Sequence, residues 1–209
     1  MLLLVVAAAI ALPFIIDPND YKPEITQAVK QHTGRVLSLK GDIKLSVFPW
    51  LGLELGETQL SNARGFGNKP FISIQRVSIK VKLLPLLRRQ VVVDKIILDG
   101  MQLNLARNRS GTTNWDDLLQ SAPTPTTAAE KQPDPVSADS AFQVGVAGID
   151  ISRGQVRWSD ATDGSEYRIS NLELQADHIV LGEPMQLHIG FDVESGSPPL
   201  QTRVDLDTD

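Results

Sequence analysis

The 209 residues leave room for one large domain or two small ones with a buried core. Hydrophobic residues make up 42% but aromatics only 5%, so aliphatic β-surface dominates over stacked aromatic platforms, which counts against single-strand nucleic-acid binding. The formal charge of −5 divides unevenly: Met1–Gln120 holds 15 Lys and Arg against 10 Asp and Glu, and Ser121–Asp209 holds 5 against 15, while the absence of cysteine rules out disulfides, thiolate nucleophiles and Cys-based zinc sites.

Met1–Ile16 is an uncharged apolar run that stops at Asp17-Pro18-Asn19-Asp20. As a helix it would span roughly 24 Å, short of the roughly 20 residues that cross a bilayer. A signal peptide needs a basic n-region, which is missing, and a core helix needs a polar stripe, which is also missing. The expectation is a transmembrane anchor, with signal peptide and core helix as alternatives. Pro18–Thr33 then reads as an amphipathic helix with Ile25, Val29 and His32 on one face, Asn19 or Asp20 as cap and Gly34 as stop. With only Lys22 and Lys30 as cations it is expected to plug the end of a sheet rather than lie at a membrane interface.

From Val36 the pattern is β. Leu37, Leu39, Ile43, Leu45 and Val47 share a parity across Lys40-Gly41-Asp42, and Leu51, Leu53 and Leu55 alternate with small or polar residues. Asn62–Pro70 is a loop; its Gly65-Phe66-Gly67 lacks the Lys-Ser/Thr and strand-loop-helix frame of a phosphate cradle. Phe71–Leu105 organises the chain as three β-runs, Phe71–Leu83, Val91–Leu98 and Met101–Leu105, and Asp99-Gly100 predicts a tight turn in an antiparallel meander. Val77, Ile79, Val81 and Leu83 share one face, Ser78, Lys80 and Lys82 the other. Asn114 followed by Asp116 and Asp117 predicts the capped start of a short helix rather than an acid–base pair. Gln120–Ser140, rich in Pro, Thr, Ala and Ser, reads as a linker or exposed insertion, after which strands resume at Phe142–Val146, Ile149–Trp158, Arg168–Leu174 and Met185–Val193. Ile97–Leu105 has an echo in Ile149–Trp158, which suggests an array of repeated β-units, and the alternating run before Asp209 suggests a longer protein.

Ile16-Asp17-Pro18-Asn19-Asp20-Tyr21-Lys22-Pro23, Thr33-Gly34-Arg35, Gly41-Asp42-Ile43, Phe48-Pro49-Trp50-Leu51-Gly52-Leu53, Val81-Lys82-Leu83-Leu84-Pro85-Leu86-Leu87, Leu98-Asp99-Gly100, Gly111 and Asn114-Trp115 together resemble the N-terminal region of the AsmA family. The resemblance is specific over Ile16–Leu119 and weaker from Gly145 onward. It implies an inner-membrane helix followed by a long periplasmic β-structure curled into a groove with an apolar interior, in a group similar to bridge-like lipid transfer proteins linked to phospholipid movement and outer-membrane assembly. The basic flank before the anchor and the long remainder of a family member are absent from this sequence.

The expected fold is mainly β (α+β): anchor 1–16, amphipathic helix 17–34, a first β-groove module 35–120, a linker 121–140 and a second β unit 141–209, with the strands in an elongated, curled antiparallel sheet. The expected function is handling of phospholipid in the inner membrane and periplasm, with outer-membrane assembly proteins as possible partners. An acyl chain needs only a continuous apolar strip, and the candidates are Val77, Ile79, Val81, Leu83, Val91, Val93, Met101, Leu103 and Leu105. The residues alone lean slightly toward a closed sandwich core; only the resemblance tips the balance to an open groove. Lys80, Lys82, Arg88 and Arg89 either meet lipid headgroups or form a solvated face. The alternative function is an envelope scaffold or assembly factor that pairs through edge strands and carries no lipid. No enzyme is expected: His32, His178 and His188 stand far apart without a metal or nucleophile motif, so no catalytic residue, metal or cofactor is assigned.

Overall fold

The computed structural model describes residues 17–46, 51–82, 91–121, 144–179, 185–196 and 199–208. The predicted anchor at 1–16 and all but the first residue of the predicted linker at 121–140 lie outside these. Among the described residues no helix is long and apolar enough to cross a membrane.

The described chain starts with a 3-10 turn, Pro18–Tyr21, capped by Asp17, whose Oδ1 accepts from the Asn19 backbone N–H at 2.9 Å. Asn19 is therefore not the cap that its position suggests. Its side chain bridges to Ile43, accepting from that backbone N–H at 2.8 Å and donating to the carbonyl at 3.1 Å. Helix α1, Lys22–Thr33, carries Glu24 in its first turn and Lys30 and His32 in its last, matching the dipole at both ends. Gly34, at φ 69°, ends it as expected, donating to the Lys30 carbonyl at 2.9 Å. The stripe turned inward differs from the predicted Ile25, Val29 and His32. Lys22, Thr26, Val29 and Thr33 are half-buried, while Ile25 and His32 are exposed, because the helix is tethered at its start by Asn19 and only a narrow flank meets the sheet.

All thirteen described strands join one sheet. They are β1 (Leu37–Leu39), β2 (Ile43–Ser46), β3 (Leu51–Leu55), β4 (Thr58–Leu60), β5 (Ile72–Ile74), β6 (Arg76–Val81), β7 (Val91–Asp99), β8 (Gln102–Arg107), β9 (Val144–Val146), β10 (Gly148–Asp160), β11 (Glu166–Asp177), β12 (Gln186–Gly196) and β13 (Pro199–Thr208). A second helix, α2 (Asp116–Ser121), follows β8. Several pairs of strands are one bent strand. In β5 and β6, Ile72 lies opposite Leu103 and Arg76 opposite Asp99, so the two continue in one direction past the joined β8 and β7. The same holds for β4 with β3 and for β1 with β2. The sheet is thus eight long strands wide, with a crease crossing it near Gly41, Glu57, Gln75, Gly100 and Arg153. It is curled and unclosed: β1 and β2 form one edge and β13 the other, and these do not pair among the described residues.

Two expectations are corrected here. The sheet is mixed, because β10 runs parallel to β7 and β8, and β9 parallel to β7. Asp99-Gly100 is a kink and not a hairpin, since β7 and β8 run on along the same neighbour, with Ile96 opposite Ile149 and Gln102 opposite Gln155. Gly100 takes φ 66°, and a Cβ there would stand 2.5 Å from Gln75 Cδ, so the strand bends at a residue whose side-chain space the Gln75 side chain already fills. The two halves of the sequence echo lie side by side at this point. Arg153, at φ 53°, faces the same bend from β10, and its guanidinium grips Asp99 through Nε at 2.8 Å and Nη2 at 2.5 Å. That pairing holds the Asp99 carboxyl below the usual carboxylate range.

Candidate functional site

Direct register partners on neighbouring strands point to the same face of a sheet, which makes the pairing a map of that face. On the side of the crease that holds β2, β3, β6 and β7, one row reads Ile43, Leu55, Val77, Leu98, Ile151, Leu174, Ile189, Leu206 across all eight strands. The adjoining row reads Leu45, Leu53, Ile79, Ile96, Ile149, Ala176, Leu187, Thr208. A shorter third row comprises Leu51, Val81, Val93 and Val146. At about 4.8 Å between strands, eight strands carry such a row for roughly 34 Å. The opposite face at the same level is Lys44, Glu54, Ser78, Ile97, Asp150, Gln175, His188, Asp207, almost entirely polar.

Beyond the crease, Leu37, Leu60, Ile72, Leu103, Val156, Ile169 and Val193 form another row. It lies on the same face, because β12 carries Leu187, Ile189, Phe191 and Val193 in unbroken alternation and pairs with β13 without a register shift. Apolar residues thus cover one face on both sides of the bend. Most are half-buried; among the described hydrophobic residues, the fully buried ones are Ile43, Val93, Met101 and Ala176.

The helix side is held differently. Asn114 is fully buried: its Oδ1 accepts from the Ala106 N–H at 2.9 Å, and its Nδ2 donates to the Asn104 carbonyl at 2.8 Å and to Asn62 Oδ1 at 2.9 Å. It is a junction between loop and strand, where the sequence suggested a helix cap. Arg35, also buried, donates to Asp117 through Nε at 3.0 Å and Nη2 at 2.5 Å and to the Asn114 carbonyl at 2.6 Å, with its guanidinium 4.6 Å from the Phe71 ring centre. The Arg35 bond keeps the Asp117 carboxyl below the usual range. Trp115 packs on Trp158 at 5.6 Å between ring centres, and Arg107 pairs with the buried Asp160. These contacts tie α2 and the start of β1 to the ends of β8 and β10.

The family model for AsmA matches residues 1–196. The chain belongs to the AsmA family. It is 24% identical over 177 residues to Protein AsmA of Escherichia coli (strain K12), a match covering 85% of this chain and 27% of that relative, so the chain spans about a quarter of the relative's length. No solved structure matches it significantly.

In this AsmA-family chain, the predicted groove residues Val77, Ile79, Val81 and Val93 do share the apolar face. Leu103 and Leu105 lie on it past the crease, with Leu105 opposite Trp158, and Met101 is buried at the bend. Leu83, Arg88 and Arg89 lie outside the described residues; so does the side chain of Val91, whose backbone pairs with Val144. Lys80 sits on the polar face opposite Lys95, and Lys82 pairs with Asp94 at 3.2 Å. The prediction missed Ile96 and Leu98. A register shift between β6 and β7 moves the apolar parity of β7 from Val93 to Ile96, and the charged Asp94-Lys95 inside VVVDKIIL was the available signal. It also missed the contributions of β10, β11 and β12, which sequence patterning marks as strands without saying which neighbour each will pair. Among the described residues no group of His, Asp and Glu is placed to hold a metal ion.

Proposed function

We propose that this chain is a membrane-anchored periplasmic protein of the cell envelope whose apolar rows bind phospholipid acyl chains and pass them on in support of outer-membrane assembly. The observation that carries the reading is the aliphatic face spanning eight strands with most of its residues only half-buried. A sheet that served only as half of a closed core would bury these side chains fully, and an apolar face of this extent that stays only partly buried marks a binding surface. The chemistry suits an acyl chain: burying about ten methylenes yields roughly 8 kcal/mol at about 0.8 kcal/mol each, with no directional partner required. Membership of the AsmA family supports the envelope role. The reading assigns no catalytic residue, metal or cofactor.

The test is lipid extraction and native mass spectrometry of the detergent-purified chain, with transfer between donor and acceptor liposomes. Co-purifying phospholipid that is lost in Ile96→Asp and Ile79→Asp supports the reading. A lipid-free protein that moves no lipid overturns it in favour of a scaffold acting through its sheet edges.

A further inference from the structure

We infer that α1 lies on the bilayer surface and holds the first edge of the apolar rows against it, a placement that rests on the anchored, lipid-binding reading above. The helix shows the sheet a half-buried stripe of Lys22, Thr26, Val29 and Thr33, while Tyr21 and Ile25, one turn apart on another flank, are 54% and 38% exposed. A helix designed only to cover the sheet would turn Ile25 inward and Lys22, Thr26 and Thr33 outward, as it already turns Lys30. The reversed arrangement calls for a second apolar contact on the outer flank.

The chain itself indicates the occupant. The uncharged run Met1–Ile16 ends five residues before Tyr21, and five residues span at most about 18 Å. A tyrosine that close to a membrane-inserting segment stands at headgroup depth, where its ring is favoured with one edge dry and its hydroxyl wet. Ile25, one turn on, continues the same contact along the surface.

Two interactions transmit this placement to the sheet. Asn19 clamps the start of the helix to the backbone of Ile43 with hydrogen bonds of 2.8 and 3.1 Å, and Lys22 lies 4.0 Å from Asp42. Ile43 is the first residue of the long row, and Leu45 begins its neighbour. A helix resting on the bilayer therefore presents the β2 ends of both rows to the membrane. An acyl chain leaving the leaflet meets Leu45, with the buried Ile43 beneath it, and then runs across the strands, away from the membrane.

The lack of cysteine makes the test clean. Single-cysteine variants I25C and T26C of the full chain are labelled with an environment-sensitive fluorophore and mixed with phosphatidylethanolamine–phosphatidylglycerol vesicles. The expected result is a blue shift at position 25, quenched more by lipids spin-labelled near the headgroup than by those labelled deep in the acyl chain, with position 26 unchanged. Y21S/I25S is expected to float with vesicles yet take up less fluorescent phospholipid from them. Flotation of I25C with no spectral shift overturns the inference and leaves the anchored reading standing; failure of the unsubstituted chain to float removes both.

Discussion

On the helix side of the crease, the elements are joined by buried polar groups: the Asn114 side chain ties β8 to the loop at Asn62, and Arg35 reaches both α2 and the loop before it. On the other side, β2, β3, β6 and β7 are held by backbone ladders and by side-chain rows that, apart from the buried Ile43 and Val93, stay half-buried. The difference teaches how a sheet keeps an apolar face uncovered. Directional bonds fix the shape at one end, so hydrophobic closure is not needed to fix it at the other. A sheet held by its apolar face alone would instead bury that face and lose the surface.

The comparison is tested most severely at Asn114. Asn114→Ala strands the Ala106 N–H and two acceptors in a buried site, and a loss of about 3 kcal/mol is expected in urea unfolding. Asp117→Asn comes next, at about 2 kcal/mol, because it weakens the partner of a buried guanidinium. It should also change the acid limb. A carboxyl whose folded value is lowered contributes stability above its unfolded value near about 3.9 and loses it as pH falls through the folded value, so the unsubstituted chain should weaken more steeply below about pH 4 than the Asn variant. Gly100→Ala combines a positive φ with contact on Gln75 and is expected to cost about 1–2 kcal/mol. Ile79→Ser, on the half-exposed row, should cost only about 1 kcal/mol while lowering co-purified lipid. If Ile79→Ser proved as damaging to folding as Asn114→Ala, the contrast between the two sides would fail.

Much of this was legible in the residues. Period-two alternation in Val77–Val81 gave the face, the Gly34 stop gave the end of α1, and Asp17–Pro23 with Gly111 and Asn114-Trp115 gave the family. What stayed hidden depended on non-local pairing. Asp-Gly signals a hairpin when two strands pair with each other, and here both strands pair with β10, more than forty residues further along. Likewise Arg35 and Asp117 are 82 residues apart, and nothing near either residue names the other.

The parallel contact of β7 and β8 with β10 also bears on the order of assembly. Ile96 meets Ile149 and Gln102 meets Gln155, a constant separation of 53 residues, whereas β2 with β3, β6 with β7 and β12 with β13 join near neighbours. Closing the longer loop costs more chain entropy before any contact repays it. We expect two locally formed sheets, β1–β8 and β10–β13, to dock late along this single seam. Pulse-labelled hydrogen exchange should then protect the Ile79 and Val204 amides before those of Gly100 and Gln155, and simultaneous protection would rule the sequence out.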